Sequence, residues 1–262
     1  MAGAFYPRDP AALRLQLAHL LVPGRSRGPA IALISPHAGY EYSGAVAGAV
    51  FSSADLPDTF IIMAPSHRPI RPIFAVMTEG VWETPLGDVP IAADLAQALV
   101  RRLPLVRIDP SAHEMEHSLE VQLPFLQALR PAPAIVPVAV SIQARVEDLL
   151  ELGRVAAAAI RECGRDVLLI ASTDMSHYVG AEEARRKDFL AIQKILELDP
   201  RGLVEIVRSE SISMCGFQPA AAVLAAALEL GARKADLIMY AHSGERTGEE
   251  REVVGYAGLR IA

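Results

Sequence analysis

Residues 30–37, Ala-Ile-Ala-Leu-Ile-Ser-Pro-His, decide the fold, because a short apolar run ends there abruptly in polar residues. Two later apolar runs, Thr59–Ala64 and Val167–Ala171, end in the same way. Uninterrupted apolar runs of this length are typical of strands that are buried on both faces of a parallel sheet. The histidines that follow the three runs are His37, His67 and His177.

Helical patterns separate these runs along the chain. Apolar residues recur there at spacings of three and four, which predicts amphipathic helices packed on a sheet. Because strands and helices alternate and no low-complexity linker divides the chain, we predict one α/β domain over residues 1–262, with helices on both faces of a central sheet. The further predicted strands are Ala134–Val140, Leu237–Tyr240 and Val253–Ile261. The predicted helices are Pro10–Leu21, Gly44–Ser52, Ala92–Arg101, Leu119–Leu129, Val146–Glu162, Glu182–Leu196, Arg201–Arg208 and Pro219–Glu229.

The composition limits the class of protein. Of the 262 residues, 52% are hydrophobic and 21% are charged, which is enough apolar material for a large core. A net charge of −6 argues against a nucleic-acid-binding surface, and no apolar run reaches the roughly 18 residues that cross a bilayer. The first residues lack the basic and apolar segments of a signal peptide, and two cysteines cannot form a disulfide scaffold. We therefore expect a cytoplasmic protein that binds neither nucleic acid nor membrane.

Reactive side chains gather at the ends of the predicted strands. The carboxyl ends of parallel strands border a common crevice, so we expect the imidazoles of His37, His67 and His177 to meet there. Cys215 precedes an Ala-rich helix whose dipole favours a thiolate. Imidazoles and a thiolate are ligands of transition metals, and Asp174 is placed to orient the ring of His177. The plainer alternative is a set of hydrogen-bonded structural histidines and a small core cysteine.

Residues 113–117, His-Glu-Met-Glu-His, match a zinc-hydrolase pattern. In H-E-x-x-H two histidines one turn apart bind zinc and the first glutamate acts as base, which requires the whole segment on one helix. The alternative is that Glu116 and His117 lie beside the crevice described above. The segment Trp82–Pro90 is predicted to be an irregular connection, and such segments often carry function.

Seven short motifs resemble those of the Memo family, whose microbial branch is called AmmeMemoRadiSam system protein B. They follow the family's order and cover nearly the whole chain. Members of that branch are often encoded beside an AMMECR-type protein and a radical-SAM protein, so the resemblance implies these two as partners. The motifs are Ala2–Pro7 (AGAFYP), Pro36–Tyr40 (PHAGY), Ala64–His67 (APSH), Glu83–Gly87 (ETPLG), Glu116–Glu120 (EHSLE), Ser172–His177 (STDMSH) and Cys215–Gly216.

The resemblance also implies a fold and a site. Memo proteins are similar to the catalytic subunits of class III extradiol dioxygenases, which implies a single three-layer domain with a mixed, largely parallel central sheet. Carried over by motif, the metal ligands are His37, His67 and Cys215. The thiol stands where the dioxygenases have a carboxylate, and a soft thiolate favours copper(I), zinc or a redox-active iron. The residues implied around these ligands are His177 and Asp174 as catalytic groups, and Tyr40, Ser66, Glu116 and His117 as substrate-side or supporting groups.

Three functions are compatible with these residues. The leading hypothesis is a metal-dependent oxidoreductase that holds iron or copper, with zinc as a further metal, and acts on an unidentified small molecule. His177 would serve as acid or base, since free histidine titrates at about pH 6.5. The second is a non-catalytic module that binds a peptide or small ligand in the same pocket, as animal family members are described to dock phosphotyrosine peptides. The third is a zinc hydrolase that uses His113 and His117.

Overall fold

Nine strands of the described residues form one sheet, and helices pack on both of its faces. The computed structural model describes residues 1–22 and 27–262. The helices are α1 (Pro10–Leu20), α2 (Tyr40–Phe51), α3 (Ala93–Arg102), α4 (His117–Glu120), α5 (Leu123–Leu129), α6 (Val146–Cys163), α7 (Ala181–Leu196), α8 (Pro200–Ser209), α9 (Phe217–Glu229) and α10 (Gly244–Thr247), with a 3-10 helix at Pro110–Ala112. The strands are β1 (Ala32–Ser35), β2 (Thr59–Pro65), β3 (Phe74–Val76), β4 (Val81–Thr84), β5 (Gly87–Pro90), β6 (Val106–Ile108), β7 (Ala134–Val140), β8 (Val167–Ser172), β9 (His177–Val179), β10 (Ala235–His242) and β11 (Val253–Ile261).

The large sheet is mixed and has a parallel centre. Its strand order is β10-β11-β1-β8-β2-β7-β3-β6, and β9 pairs with β11. Neighbours among β1, β8, β2 and β7 run parallel, whereas β11 beside β1 and β3 beside β7 run antiparallel. Every residue of β2 is buried, as expected for a strand covered on both faces. The prediction of a single α/β domain with a mixed, largely parallel sheet is confirmed.

Helices cover the sheet in two layers. α2, with α1 and α5 packed on it, contacts the strands on one side, and α9, flanked by α6 and α8, contacts them on the other. Local signals fix where some of these helices begin: the side chain of Asp9 accepts the N–H of Ala12 before α1, and Asp199 accepts the N–H of Gly202 before α8. In the described part of the chain, no helix is both long and apolar enough to cross a membrane.

Several local predictions were wrong. The segment Trp82–Pro90 is not irregular, since β4 and β5 pair there as an antiparallel hairpin, tied to α5 by the side chains of Thr84 and Gln127. The three-residue strands β3, β6 and β9 escaped prediction because so few residues show no periodicity. α2 begins at Tyr40, four residues earlier than predicted, and the predicted helix Leu119–Leu129 is two helices, α4 and α5.

The central strands place the chemistry-bearing residues at one edge. His37 follows β1, His67 follows β2, and Asp174 and His177 follow β8. Because β1, β8 and β2 are parallel neighbours, their carboxyl ends lie side by side. Cys215 reaches the same edge from the start of α9, which packs on these three strands.

Candidate metal centre

Two imidazoles and a thiol meet at the carboxyl edge of the sheet. One ligand atom from each of His37, His67 and Cys215 lies within 4.8 Å of the other two. The Nε2 of His37 and the Sγ of Cys215 are 3.2 Å apart. Nitrogen and sulfur donors at this spacing fit a transition-metal ion. The structure therefore brings together the three residues that the motifs implied as ligands.

The hydrogen bonds of Ser172 fix the tautomer of His37. The hydroxyl of Ser172 donates to the carbonyl of Ser118 at 2.6 Å and accepts from the side-chain amide of Gln122 at 2.7 Å. The single hydrogen of this hydroxyl is already donated to Ser118. The Ser172 oxygen therefore accepts the hydrogen of Nδ1 of His37, which lies 3.0 Å away. Nε2 of His37 is therefore bare and free to bind a metal. Burial, reinforced by the neighbouring imidazole of His67, lowers the pKa of His37 to about 3, so the ring is neutral at pH 7.

A buried carboxylate holds His67 in the same tautomer. Oε1 of Glu116 accepts from Nδ1 of His67 at 2.8 Å and from the N–H of Ser118 at 3.0 Å, and Oε2 accepts the N–H of His67 at 2.7 Å. Burial by itself would raise the pKa of Glu116, but these three hydrogen bonds lower it to about 2. An ionised Glu116 thus leaves Nε2 of His67 as the free nitrogen and orients the ring.

Cys215 is held tightly against the end of β8. The N–H of Asp174 points at its Sγ at 3.3 Å, and the N–H of Gly216 donates to Oγ1 of Thr173 at 2.9 Å. Glycine is needed at 216, because a Cβ there would lie 2.5 Å from Cβ of Thr173. Burial raises the pKa of the Cys215 thiol, and the Asp174 carboxylate raises it further. Burial thus opposes the thiolate that the helix dipole favours, and a cation bound beside the sulfur would favour it.

His177 is oriented by Ser213 and not by Asp174. Nδ1 of His177 donates to the carbonyl of Ser213 at 2.8 Å, and its backbone N–H donates to Oγ of Ser213 at 2.7 Å. Asp174 instead accepts the backbone N–H of His37 at 2.7 Å, and burial raises the pKa of its carboxyl. The predicted contact between Asp174 and the ring of His177 was wrong. With Nδ1 as donor, Nε2 of His177 is left as a proton acceptor.

Two further aromatic rings, those of Phe5 and His117, stack in a row on the ligand His67. Phe5 stacks on His117 with ring centroids 4.4 Å apart and planes 18° apart, and His117 stacks on His67 at 4.6 Å and 28°. His37 meets the edge of His117 at 5.4 Å. Burial, followed by the imidazoles of His37 and His67, lowers the pKa of His117 to about 4. The N-terminal segment of the structure thus forms part of the wall of this site.

The zinc-hydrolase geometry is absent from residues 113–117. The 3-10 helix ends at Ala112, and Glu116 caps α4 by accepting the N–H of Ser118, so the helix begins only at His117. His113 lies against Trp82, with ring centroids 5.8 Å apart, and it is not one of the residues grouped around a possible ion. The two histidines therefore do not share a helix face, and the H-E-x-x-H interpretation was wrong.

The hydroxyl groups of Tyr40 and Ser66 are already bound to the protein. Tyr40 is buried and its OH donates to the carbonyl of Val121 at 2.6 Å, whereas Oγ of Ser66 donates to the carbonyl of Arg68 at 2.7 Å. Both residues stabilise the loops that carry the histidines. A direct role in substrate binding stays a prediction for them.

Comparison with known proteins identifies the family. A family model described as Memo-like protein matches residues 1–260. The chain belongs to the Memo family. It is 41% identical to a MEMO1 family protein of Methanothermobacter thermautotrophicus, with 99% of this chain and 98% of that protein covered, and 39% identical to one of Methanopyrus kandleri, with 99% and 96% covered. A solved structure of an uncharacterized protein from Escherichia coli K12 covers 88% of the Memo chain and 99% of its own, with a TM-score of 0.57 and 20% identity, which shows likeness of fold.

Sequence reasoning missed the residues that hold the ligands in place. Ser172, Gln122 and Ser213 fix the orientation of His37 and His177 through hydrogen bonds. Only their positions could have pointed to them: Ser172 directly follows the predicted strand Val167–Ala171, and Ser213 stands two residues before Cys215. Small polar residues at such places are too common for the pattern to single them out.

Proposed function

We propose that this Memo protein is a metal-dependent oxidoreductase that holds iron or copper with His37, His67 and Cys215 and acts on a small molecule. One observation carries the proposal: the ligand atoms of the three residues lie within 4.8 Å of one another, and the bare Nε2 of His37 lies beside the thiol. A soft sulfur donor with two imidazoles suits copper(I), zinc or a redox-active iron. A bound iron or copper ion would supply the one-electron chemistry that side chains lack.

The side chains around the ligands have separable tasks in this proposal. Glu116 keeps the ring of His67 in place through Nδ1, and Ser172 does the same for His37. His177 offers its bare Nε2 to take a proton from the substrate, since Ser213 already holds the Nδ1 proton. Asp174 is buried and holds the backbone of His37 by accepting its N–H, with its other carboxyl oxygen 3.9 Å from Nε2 of the same residue.

Metal analysis of purified protein tests the proposal. The chain offers Cys163 as a matched control, because it lies at the end of α6 and its thiol hydrogen-bonds to the nearby carbonyls of Ile160 and Arg165. We expect wild-type protein and Cys163→Ser to carry iron or copper, and Cys215→Ser to lose it. Equal metal content in all three proteins would contradict the metal centre. If anaerobically purified wild-type protein contains zinc as its only metal, the metal centre is supported and the assignment as an oxidoreductase is overturned.

A second candidate function is binding without turnover in the same pocket. It is favoured by exposed apolar side chains at this edge: Ile142, just after β7, is 79% exposed and Tyr178, beside His177, is 73% exposed. Such side chains offer contacts to a peptide. Titration of a phosphotyrosine peptide against wild-type protein and His177→Ala separates the functions. Binding that needs His177 but neither metal nor turnover would favour the binding module.

A further inference from the structure

His117 lies beside the metal ligands, and neither of its ring nitrogens makes a hydrogen bond with the described residues. Its Nδ1 lies 3.6 Å from Oε1 of Glu116, beyond hydrogen-bond reach, and Glu116 is already engaged by His67 and Ser118. Both ring nitrogens of His113 are sealed inside the protein, whereas 21% of the His117 side chain is exposed. Free nitrogens at an accessible position can meet a ligand that enters the site.

The ring of His117 is nevertheless fixed in direction. The rings of Phe5 and His67 both stack on it, 4.4 and 4.6 Å away between centroids, and the ring of His37 stands nearly perpendicular to it at 5.4 Å. Phe5 is itself anchored, because its carbonyl accepts the backbone N–H of Tyr40 at 2.8 Å. A ring stacked against two neighbours and met by a third cannot tilt without breaking these contacts, so its nitrogens keep one orientation.

We propose that Phe5 and His67 clamp His117 as the hydrogen-bonding partner of a small oxygen- or nitrogen-donor ligand that completes the coordination of the metal. The inference rests on the proposed metal centre and adds to it the group through which a substrate attaches. His117 also belongs, with His67 and Glu116, to a second group whose ligand atoms lie within 4.8 Å of one another, but three N–H groups already occupy the oxygens of Glu116. A neutral imidazole carries one N–H and one bare nitrogen, so His117 can donate to such a ligand without itself binding the ion. His117 is then a residue for ligand binding, and Phe5 is its positioning residue.

Azide binding to the Co(II)-loaded protein tests the proposal. Thiolate-to-cobalt absorption reports that the ion sits at Cys215, and azide titration reports the open coordination position. We expect His117→Phe, which keeps a flat ring, to retain the thiolate absorption and to bind azide about ten-fold more weakly, because one hydrogen bond to a charged ligand is lost. Phe5→Leu should weaken azide binding less and also leave the cobalt spectrum in place.

The control is His19→Phe, a histidine on α1 whose Nδ1 contacts the carbonyl of Leu15, and it should match the wild type. An azide affinity of His117→Phe within about two-fold of wild type would overturn the inference while leaving the metal centre intact. Loss of cobalt from His117→Phe alone would also overturn it, because His117 would then help to hold the ion. Failure of wild-type protein to bind Co(II) through the thiol would overturn the proposed function and the inference together.

Discussion

Single residues decide which atoms face the candidate ion. Each of three imidazoles has its Nδ1 hydrogen engaged by a different neighbour, so that Nε2 is the free nitrogen in every case. This common tautomer comes from ordinary hydrogen bonds between the fold and the imidazoles. The pairs are His37 with Ser172, His67 with Glu116, and His177 with Ser213.

Replacing Glu116 by glutamine should weaken metal binding roughly ten-fold or more, as is usual when a hydrogen-bond partner of a metal ligand is lost. The carboxylate accepts three N–H groups, and an amide has only one oxygen for them. Competition against a chelator of known affinity measures the change. Glu114→Gln, at an exposed neighbouring position, is the control. Equal metal affinity in the two variants would show that Glu116 does not support the metal ligands.

His113 should make the protein sensitive to acid. Burial lowers its pKa to about 4, below the value of about 6.5 for an unfolded histidine. Protonation of this residue therefore leaves the free energy of unfolding unchanged above pH 6.5 and lowers it as the pH falls toward 4, because the unfolded chain takes up the proton first. Between pH 7 and pH 5 this amounts to about 2 kcal/mol of unfolding free energy, at 1.36 kcal/mol per pKa unit. Urea unfolding at the two pH values measures it.

His113→Phe should reduce this dependence on pH without lowering stability at pH 7. Both ring nitrogens of His113 are buried, and the backbone of Ala75 offers at most a poorly aligned partner, so an apolar ring removes a poorly satisfied polar group. The metal content of His113→Phe should stay at the wild-type level, whereas a zinc hydrolase that uses His113 as a ligand would lose its metal. An unchanged loss of stability between pH 7 and pH 5 would assign the acid sensitivity to other groups, such as His37.

At the scale of elements, the site depends on how closely α9 approaches β8. The first turn of α9 rests on the residues that follow β8, with no room for a side chain between them. Cys215 precedes this turn and Asp174 follows the strand, so the distance between the two elements sets the position of the sulfur. A helix shifted by a fraction of an ångström would move the thiol and leave the imidazoles in place.

Gly216→Ala should therefore lower both stability and metal content. Its Cβ would fall 2.5 Å from Cβ of Thr173 and 2.6 Å from the carbonyl oxygen of Ser172, an overpacking that typically costs about 1–3 kcal/mol. Thermal unfolding and metal analysis of one preparation measure the two effects. Gly180→Ala is the control, since a Cβ there makes only ordinary contacts. A stable Gly216→Ala protein that retains its metal would contradict the close approach.

At the scale of the whole molecule, the three proposed ligands belong to distant parts of the chain. His37 follows β1, His67 follows β2 and Cys215 precedes α9, so an ion at their meeting point joins separate elements of the fold. An ion that binds the folded state in preference to the unfolded chain stabilises the whole domain.

Metal removal should accordingly lower the melting temperature of wild-type protein. At a free ion concentration of 100 times the dissociation constant, the expected stabilisation is about 2.7 kcal/mol. Thermal unfolding with Zn(II) and with excess chelator measures the difference. Cys163→Ser should respond like the wild type, and Cys215→Ser should respond far less. The same shift in Cys215→Ser would place the stabilising ion elsewhere.

The sequence predicted the fold better than the details of the site. Runs such as Thr59–Ala64 and Val167–Ala171 are long enough to show burial on both faces, and their polar ends located the crevice. The three-residue strands and the hairpin β4–β5 were missed because they carry too few residues to show a pattern. The contacts of His177 depended on how a loop folds back on Ser213, which no local spacing encodes.

The uneven exposure of the proposed ligands sets an order of arrival. The side chain of His67 is 34% exposed, whereas that of His37 is 1% exposed. An ion from solvent would therefore meet the imidazole of His67 before that of His37, while Cys215 is partly exposed beside them. Binding at the sulfur would displace the thiol hydrogen, so uptake would release acid into the medium, which a proton-sensitive dye would report and which Cys215→Ser would not show.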